Sequence, residues 1–279
     1  MIVKVNQLLK EAGERHQAVL ALDVFSMESI LWAIEAAQRE DYPIILMYYP
    51  GMIDSKMFVD ISKRAAETAT VPVGLIVDHG KDFPTLIDAM KNGLPSVMFD
   101  GSANSFEENI AQTKEIVRIA HQLGIDVEGE LGHVGMTSDQ KFFTNADTYT
   151  NVDQAVKFVR ETGVDTLAVA IGNAHGNYIA TPNLSFERLR ELRAALDLPL
   201  VLHGGSGIPD DQFGRCALEG MSKFNIFTEY NMALSNAMKA SLDKGNKGGL
   251  QVLCDCKDAC KELVKHKINM VNPKGLRLI

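Results

Sequence analysis

Asp78 and His79 close the apolar run VGLIV, His175 follows TLAVAIG within IGNAHGNY, and His203 closes PLVL within VLHGGSG. Asp100 ends SVMF, Glu128 and Glu130 alternate within DVEGEL, and Asn225 stands inside KFNIF. A single buried histidine is more often a hydrogen-bonded core residue than a ligand. Three of them at the ends of three separate apolar runs, with carboxylates alongside, suit a divalent cation. Three neutral imidazoles with one open position are a catalytic zinc arrangement, which can polarise a carbonyl or activate water. The set His79, His175 and His203 is therefore the first candidate site.

A second signal is independent of the first. Gly204, Gly205, Ser206 and Gly207 follow the run that ends at His203, and a helix is expected to begin near Pro209. Glycines let backbone N–H groups approach an anion, a serine hydroxyl adds a donor, and a helix N-terminus adds favourable partial charge. Thr228 supplies another hydroxyl after the next apolar run. A cation beside a phosphate pocket points to a small phosphorylated substrate carrying a carbonyl or a vicinal diol.

These residues converge only if the chain arranges their runs side by side. Eight short apolar runs recur: Val19–Val24, Ile44–Tyr49, Val73–Val77, Ser96–Phe99, Asp126–Leu131, Thr166–Ile171, Leu198–Leu202 and Phe224–Phe227. Amphipathic stretches such as Met27–Glu40, Ser55–Thr70, Phe106–Leu123, Val152–Thr162, Phe186–Leu196 and Asp210–Gly220 separate them. Near-continuous apolar strands alternating with helices are the pattern of parallel strands buried on both faces. Eight such units predict an α/β chain folded as a (β/α)8 TIM barrel, in which the C-terminal strand ends form the functional face. An open doubly wound sheet is the runner-up, but no G-x-G-x-x-G follows the first strand. No linker or composition shift divides the chain, so residues 1–279 are read as one domain, with a C-terminal helical extension near Leu250–Lys267.

Composition bounds the partners. With 28 Lys and Arg against 36 Asp and Glu, the net charge is −8, which argues against a nucleic-acid or anionic-membrane surface. No apolar run approaches the ~20 residues of a membrane span. The N-terminal MIVKVNQLLKEAGERHQ reads as a charged amphipathic helix and not as a signal peptide, so a cytoplasmic location is expected. Cys254, Cys256 and Cys260 cluster in CDCKDAC without the paired CxxC spacing of a zinc site, and read as helix-packing thiols. His16, His121 and His266 are expected at the surface, and His133 near the mouth.

The stretches VDHGKDF, SVMFDGS, VEGELGHVG, DTLAVAIGNAHGNY, PLVLHGGSG and KFNIFTE occur in this order. They closely resemble those of the class II, zinc-dependent ketose-bisphosphate aldolases. The resemblance spans about residues 16–243 and leans toward the ketose-phosphate branch more than the glycolytic enzymes. It implies a (β/α)8 barrel that reversibly cleaves a ketose 1-phosphate or 1,6-bisphosphate to dihydroxyacetone phosphate and an aldehyde. By the same resemblance His79, His175 and His203 hold the catalytic Zn2+. Asp78 is the acid/base for the C4 hydroxyl, and Asn225 supports the enediolate. Gly176, Gly204, Ser206 and Thr228 line the C1-phosphate pocket, and Asn225 borders the bound substrate. Asp100 and Glu130 match carboxylates that can hold a second cation, and a monovalent cation near the phosphate is also implied. Homodimers or homotetramers are the implied assemblies.

Three positions depart from the family pattern. Where bisphosphate members carry a glutamate in a GGEED-like loop, this chain has GMTSDQ, with Ser138 at the matching place and Asp139 or Glu128 as substitutes. A serine after the second strand is replaced around Tyr49. Only Arg277 follows Arg215, so a distal phosphate would fall to a lysine such as Lys244 or Lys247. A Schiff-base mechanism finds no lysine on the sixth strand, and Lys223 is read as preceding the eighth strand at the wrong end. Two alternatives stand beside the aldolase. One is a metal-dependent hydrolase, disfavoured because LALDVF lacks a His-x-His. The other is a sensor-like barrel that binds metal and sugar phosphate without turnover.

Overall fold

A computed structural model describes residues 1–132, 134–135, 149–176, 178, 181–245 and 248–272. Nine parallel strands form one curled sheet: β1 (Ile2–Val3), β2 (Val19–Asp23), β3 (Ile44–Tyr48), β4 (Val73–Val77), β5 (Ser96–Phe99), β6 (Asp126–Leu131), β7 (Thr166–Val169), β8 (Leu200–Leu202) and β9 (Met221–Ile226). Their spatial order is β1-β4-β3-β2-β9-β8-β7-β6-β5. The eight expected runs are thus β2 to β9, and the first residues of the chain form an unexpected strand that pairs with β4 at Val73 and Gly74.

The barrel is joined between β4 and β5 at the functional face. Just beyond the strand ends, Gly80 pairs with Phe99. Gly80 N donates to Met98 O at 3.2 Å, and Asp100 N donates to Gly80 O at 2.9 Å. Gly80 is required there, because a Cβ would lie 2.8 Å from Met98 O and 2.4 Å from the Leu86 side chain. This closure lies between His79 and Asp100 and sets their separation.

Six of the described helices begin where short polar side chains cap free backbone N–H groups. Ser26 and Ser105 make capping boxes for α2 (Met27–Arg39) and α5 (Phe106–Gln122). Asp54 caps α3 (Ser55–Glu67), Asp82 caps α4 (Phe83–Lys91), Asn151 caps α6 (Val152–Thr162) and Ser185 caps α7 (Phe186–Ala195). α1 (Val5–Glu14) covers the barrel's bottom, where Asn6 N donates to Asp126 Oδ2 at 3.2 Å. After α8 (Asp210–Leu218) and α9 (Thr228–Asp243), the expected extension is α10 (Gly249–Val271). It packs on α2, α8 and α9, with Lys261 Nζ 2.6 Å from Glu35 Oε2 and Lys267 Nζ 2.9 Å from Glu229 Oε2. No helix among the described residues is long and apolar enough to cross a membrane.

Candidate active site

The three histidines meet. Each of His79, His175 and His203 offers one ring nitrogen, and these atoms lie within 4.8 Å of one another. His79 Nε2 is 3.0 Å from His203 Nδ1, and the ring centroids of His79 and His175 are 4.9 Å apart. The backbone is arranged for this. His79 sits at φ +48, a left-handed conformation that a non-glycine residue adopts only where its surroundings impose it. His175 N donates to Gly135 O at 2.8 Å, and Asn173 Nδ2 donates to His203 O at 2.9 Å.

Carboxylates fix the outer nitrogens of two rings. His79 Nδ1 lies 2.9 Å from Asp100 Oδ2, and His203 Nε2 lies 2.9 Å from Glu128 Oε1. A carboxylate only accepts, so these nitrogens carry the protons. His79 Nε2 and His203 Nδ1 then face the common point, where they can share a proton or a cation. Burial disfavours a charge on His79, but Asp78, Asp100 and Glu130 prevail and push its pKa up to about 10. Burial, followed by the neighbouring His79 and His203, pushes His175 down to about 3 and leaves its ring neutral. The surroundings therefore favour positive charge between rings that can ligate it.

Asp78 and Asn225 form a second pair beside the first. Both are buried, and Asn225 Nδ2 donates to Asp78 Oδ1 at 2.9 Å. Asn225 Oδ1 has no hydrogen-bond partner among the described residues. Glu130 and Asp100 gather with His79 into a further potential cation-binding group. Glu130 Oε2 is buried without a hydrogen bond among the described residues, and burial, opposed by His203 and His79, pushes its pKa up to about 7. Orphaned buried oxygens cost free energy unless something pairs with them, and a cation would do so here.

The glycine-rich turn lies alongside. Gly204 and Gly207 have φ of +62 and +83, and Gly176, on the facing loop, has +99. At Gly204 a Cβ would stand 2.2 Å from Ala174 O, so no other residue fits. The Tyr178 hydroxyl accepts from Ala174 N at 2.8 Å and donates to Gly204 O at 3.1 Å, tying the two loops together. Ser206 is buried, and its Oγ accepts from Glu229 N at 3.2 Å, which holds the turn against the start of α9. Thr228 is the first residue of α9. A glycine-rich turn, a hydroxyl and a helix N-terminus thus lie side by side, a combination able to take an anion.

Several readings change. Lys223 does not precede its strand; it lies within β9, 1% exposed, with Nζ 3.0 and 2.8 Å from the two Glu128 oxygens. Glu128 is ill suited to replace the loop glutamate as a proton donor, since it is buried and both its oxygens accept from Lys223 Nζ. Burial would raise its pKa, but Lys223 and His203 outweigh that and hold it down at about 2. Lys244 follows the last residue of α9, ~24 Å along the helix from Thr228, so it cannot reach the site within one chain. Tyr49, beyond β3, is 38% exposed. His133, Ser138, Asp139, Lys247 and Arg277 lie outside the described residues.

Asp23, at the end of β2, was missed by the sequence reading. It is buried, its Oδ1 has no hydrogen-bond partner among the described residues, and burial together with the charge of Asp78 raises its pKa well above the ordinary carboxylate value. An acid terminating the apolar run VLAL at the functional face was the available signal. Asn173 and Tyr178 escaped notice because their work is done through backbone atoms of other loops.

Comparison with known proteins shows the family and the fold. Residues 3–276 match the model of the family described as fructose-bisphosphate aldolase class-II. The uncharacterized protein YdjI of Escherichia coli (strain K12) is 38% identical over 278 residues, covering 99% of each chain. A crystal structure described as the YdjI aldolase from Escherichia coli K12 superposes with a TM-score of 0.88 at 35% identity over 100% of both chains. A fructose-bisphosphate aldolase (Fba) from Campylobacter jejuni shares the fold, with a TM-score of 0.82 at 20% identity over 97% of this chain and 95% of its own.

Proposed function

The chain belongs to the class II fructose-bisphosphate aldolase family, and from that premise we propose that it is a zinc-dependent enzyme acting on a ketose 1-phosphate or 1,6-bisphosphate. The reaction is reversible retro-aldol cleavage to dihydroxyacetone phosphate and an aldehyde. One observation carries the reading: ring nitrogens of His79, His175 and His203 lie within 4.8 Å of one another while carboxylates hold the outer nitrogens of two of the rings.

Those three histidines would hold the Zn2+, and the orphaned Glu130 oxygen with Asp100 would favour a second cation. When bound, the metal supplies Lewis-acid stabilisation of negative charge on the ketone-derived fragment, an effect of several kcal/mol. The chain's own groups do the rest. Asp78 takes the proton of the C4 hydroxyl, the C3–C4 bond breaks to release the aldehyde, its electron pair passes to the enediolate, and a proton delivered to C3 gives dihydroxyacetone phosphate. Asn225 holds Asp78 Oδ1 through its Nδ2 and keeps its own Oδ1 available to accept from a hydroxyl of the substrate. Gly176, Gly204, Ser206 and Thr228 form the C1-phosphate pocket.

In this reading residues 1–279 act as one barrel unit that assembles as a homodimer or homotetramer, as the family resemblance implies. The four cysteines are unpaired, in keeping with the cytoplasm. The test is an assay of purified protein against stereochemically varied ketose 1-phosphates and 1,6-bisphosphates. Release of dihydroxyacetone phosphate, abolished by a chelator, is expected, and full activity in excess chelator would sink the zinc role. The GMTSDQ segment, without the loop glutamate, is the feature that keeps the sensor-like alternative open, and calorimetric binding without product over hours would support it.

A further inference from the structure

Beneath the three histidines the barrel interior holds a buried lysine, paired with Glu128, to which the proposed chemistry gives no role. Lys223 and Glu128 are each 1% exposed, and Lys223 Nζ donates to both carboxylate oxygens, at 3.0 and 2.8 Å. One of those oxygens, Glu128 Oε1, also accepts from His203 Nε2 at 2.9 Å, and Thr166 Oγ1 donates to the other at 3.3 Å. The four residues come from three neighbouring strands and the loop entry after a fourth, with β6 paired to β7, β7 to β8 and β8 to β9.

Burying two charges costs several kcal/mol each, and their attraction often no more than offsets that cost. Well-packed apolar residues would stabilise the barrel equally well, so stability alone does not account for an ion pair at this depth. Its geometry does. A carboxylate gripped at both oxygens cannot rotate, so its remaining lone pair stays aimed at His203 Nε2. That contact forces the proton of His203 onto Nε2 and leaves Nδ1, the nitrogen 3.0 Å from His79 Nε2, as the lone-pair donor. An outer residue that orients a metal-binding imidazole changes metal affinity without touching the metal.

We propose that Lys223 is a positioning residue that acts through Glu128 to fix the ring orientation and tautomer of His203 for cation binding. The inference rests on the reading of the three histidines as ligands of one cation.

The test combines Zn2+ affinity, measured by competition with a chromophoric chelator, with 15N NMR of the histidine rings in chelator-treated protein. Wild type, Lys223→Met, Glu128→Gln and the Lys223→Met/Glu128→Gln double variant are compared, each checked for folding by circular dichroism. Wild-type protein is expected to bind Zn2+ and to show His203 in the Nε2–H form. Each single variant is expected to bind roughly 10–100-fold more weakly. The double variant is expected to match Glu128→Gln, because Lys223 has nothing to act through once the carboxylate is gone. All three variants are expected to lose the pure Nε2–H signature. The double variant buries no unpaired charge, so it carries the test even where a single variant fails to fold. Wild-type affinity in the double variant overturns the proposal, and so do additive losses. Failure of wild-type protein to bind Zn2+ overturns instead the reading on which it rests.

Discussion

His79 Nε2 and His203 Nδ1 stand 3.0 Å apart although 124 residues separate them in the chain. Their outer nitrogens are spoken for by Asp100 and Glu128. The inner pair can share only a proton or a cation, and His175 completes the third side. Replacing His79 or His203 by alanine is expected to remove tightly bound Zn2+ and to lower the rate of cleavage by roughly 10²–10³-fold or more. Metal analysis of purified variants checks the first effect and a dihydroxyacetone phosphate assay the second. Stoichiometric zinc in His203→Ala would exclude that ring as a ligand.

Asp78→Asn removes the proposed proton acceptor while keeping the side chain's shape. Cleavage should fall by roughly 10²–10⁴-fold, the usual share of general acid–base catalysis. Zinc content should stay at the wild-type level. A variant that retains its turnover would show that the C4 proton goes elsewhere.

Gly204→Ala tests the turn between the cation site and the phosphate pocket. The new methyl would meet Ala174 O at 2.2 Å, in a left-handed conformation that itself costs ~1–2 kcal/mol. We expect the thermal midpoint to drop by at least ~4 °C and KM for a phosphorylated ketose to rise. An unchanged midpoint would mean the two loops separate without cost.

Lys223→Met leaves Glu128 buried with one charged partner fewer, which should destabilise the protein by ~3–5 kcal/mol. The urea midpoint measures this. Restoration of the midpoint by adding Glu128→Gln would identify the unpaired charge as the cause.

Acid should loosen the same pair. In the folded protein Glu128 keeps its charge down to about pH 2, against an ordinary value of 4.5. The unfolded chain therefore takes up this proton first as pH falls. Stability from Glu128 is fully present above about pH 4.5 and is lost progressively between about 4.5 and 2. Urea midpoints of chelator-treated protein across this window should fall more steeply for wild type than for the Lys223→Met/Glu128→Gln variant. Parallel curves would show that other carboxylates set the acid limit.

Much of this architecture was legible in the residues. Runs such as VGLIV and IILMY are apolar throughout because both of their faces are covered, and that property identifies parallel barrel strands without any knowledge of contacts. The polar residue ending each run marks the functional face for the same reason: a polar group has no place deeper in an apolar strand unless something pairs with it. Lys223 shows where this logic stops. A lysine in MSKFNI looks like a boundary, and only the fold brings Glu128 across from β6 to satisfy it. The closure at Gly80 and Phe99, which sets His79 beside Asp100, is likewise invisible in sequence, since it depends on where the ends of an eight-strand ring meet. The order and nature of the strands, and which residues face the rim, follow from local hydrophobic pattern, which is a property of neighbours in the chain. Which nitrogen of each histidine is free to bind depends on partners 21 and 75 residues away, and such pairings exist only once the chain has folded.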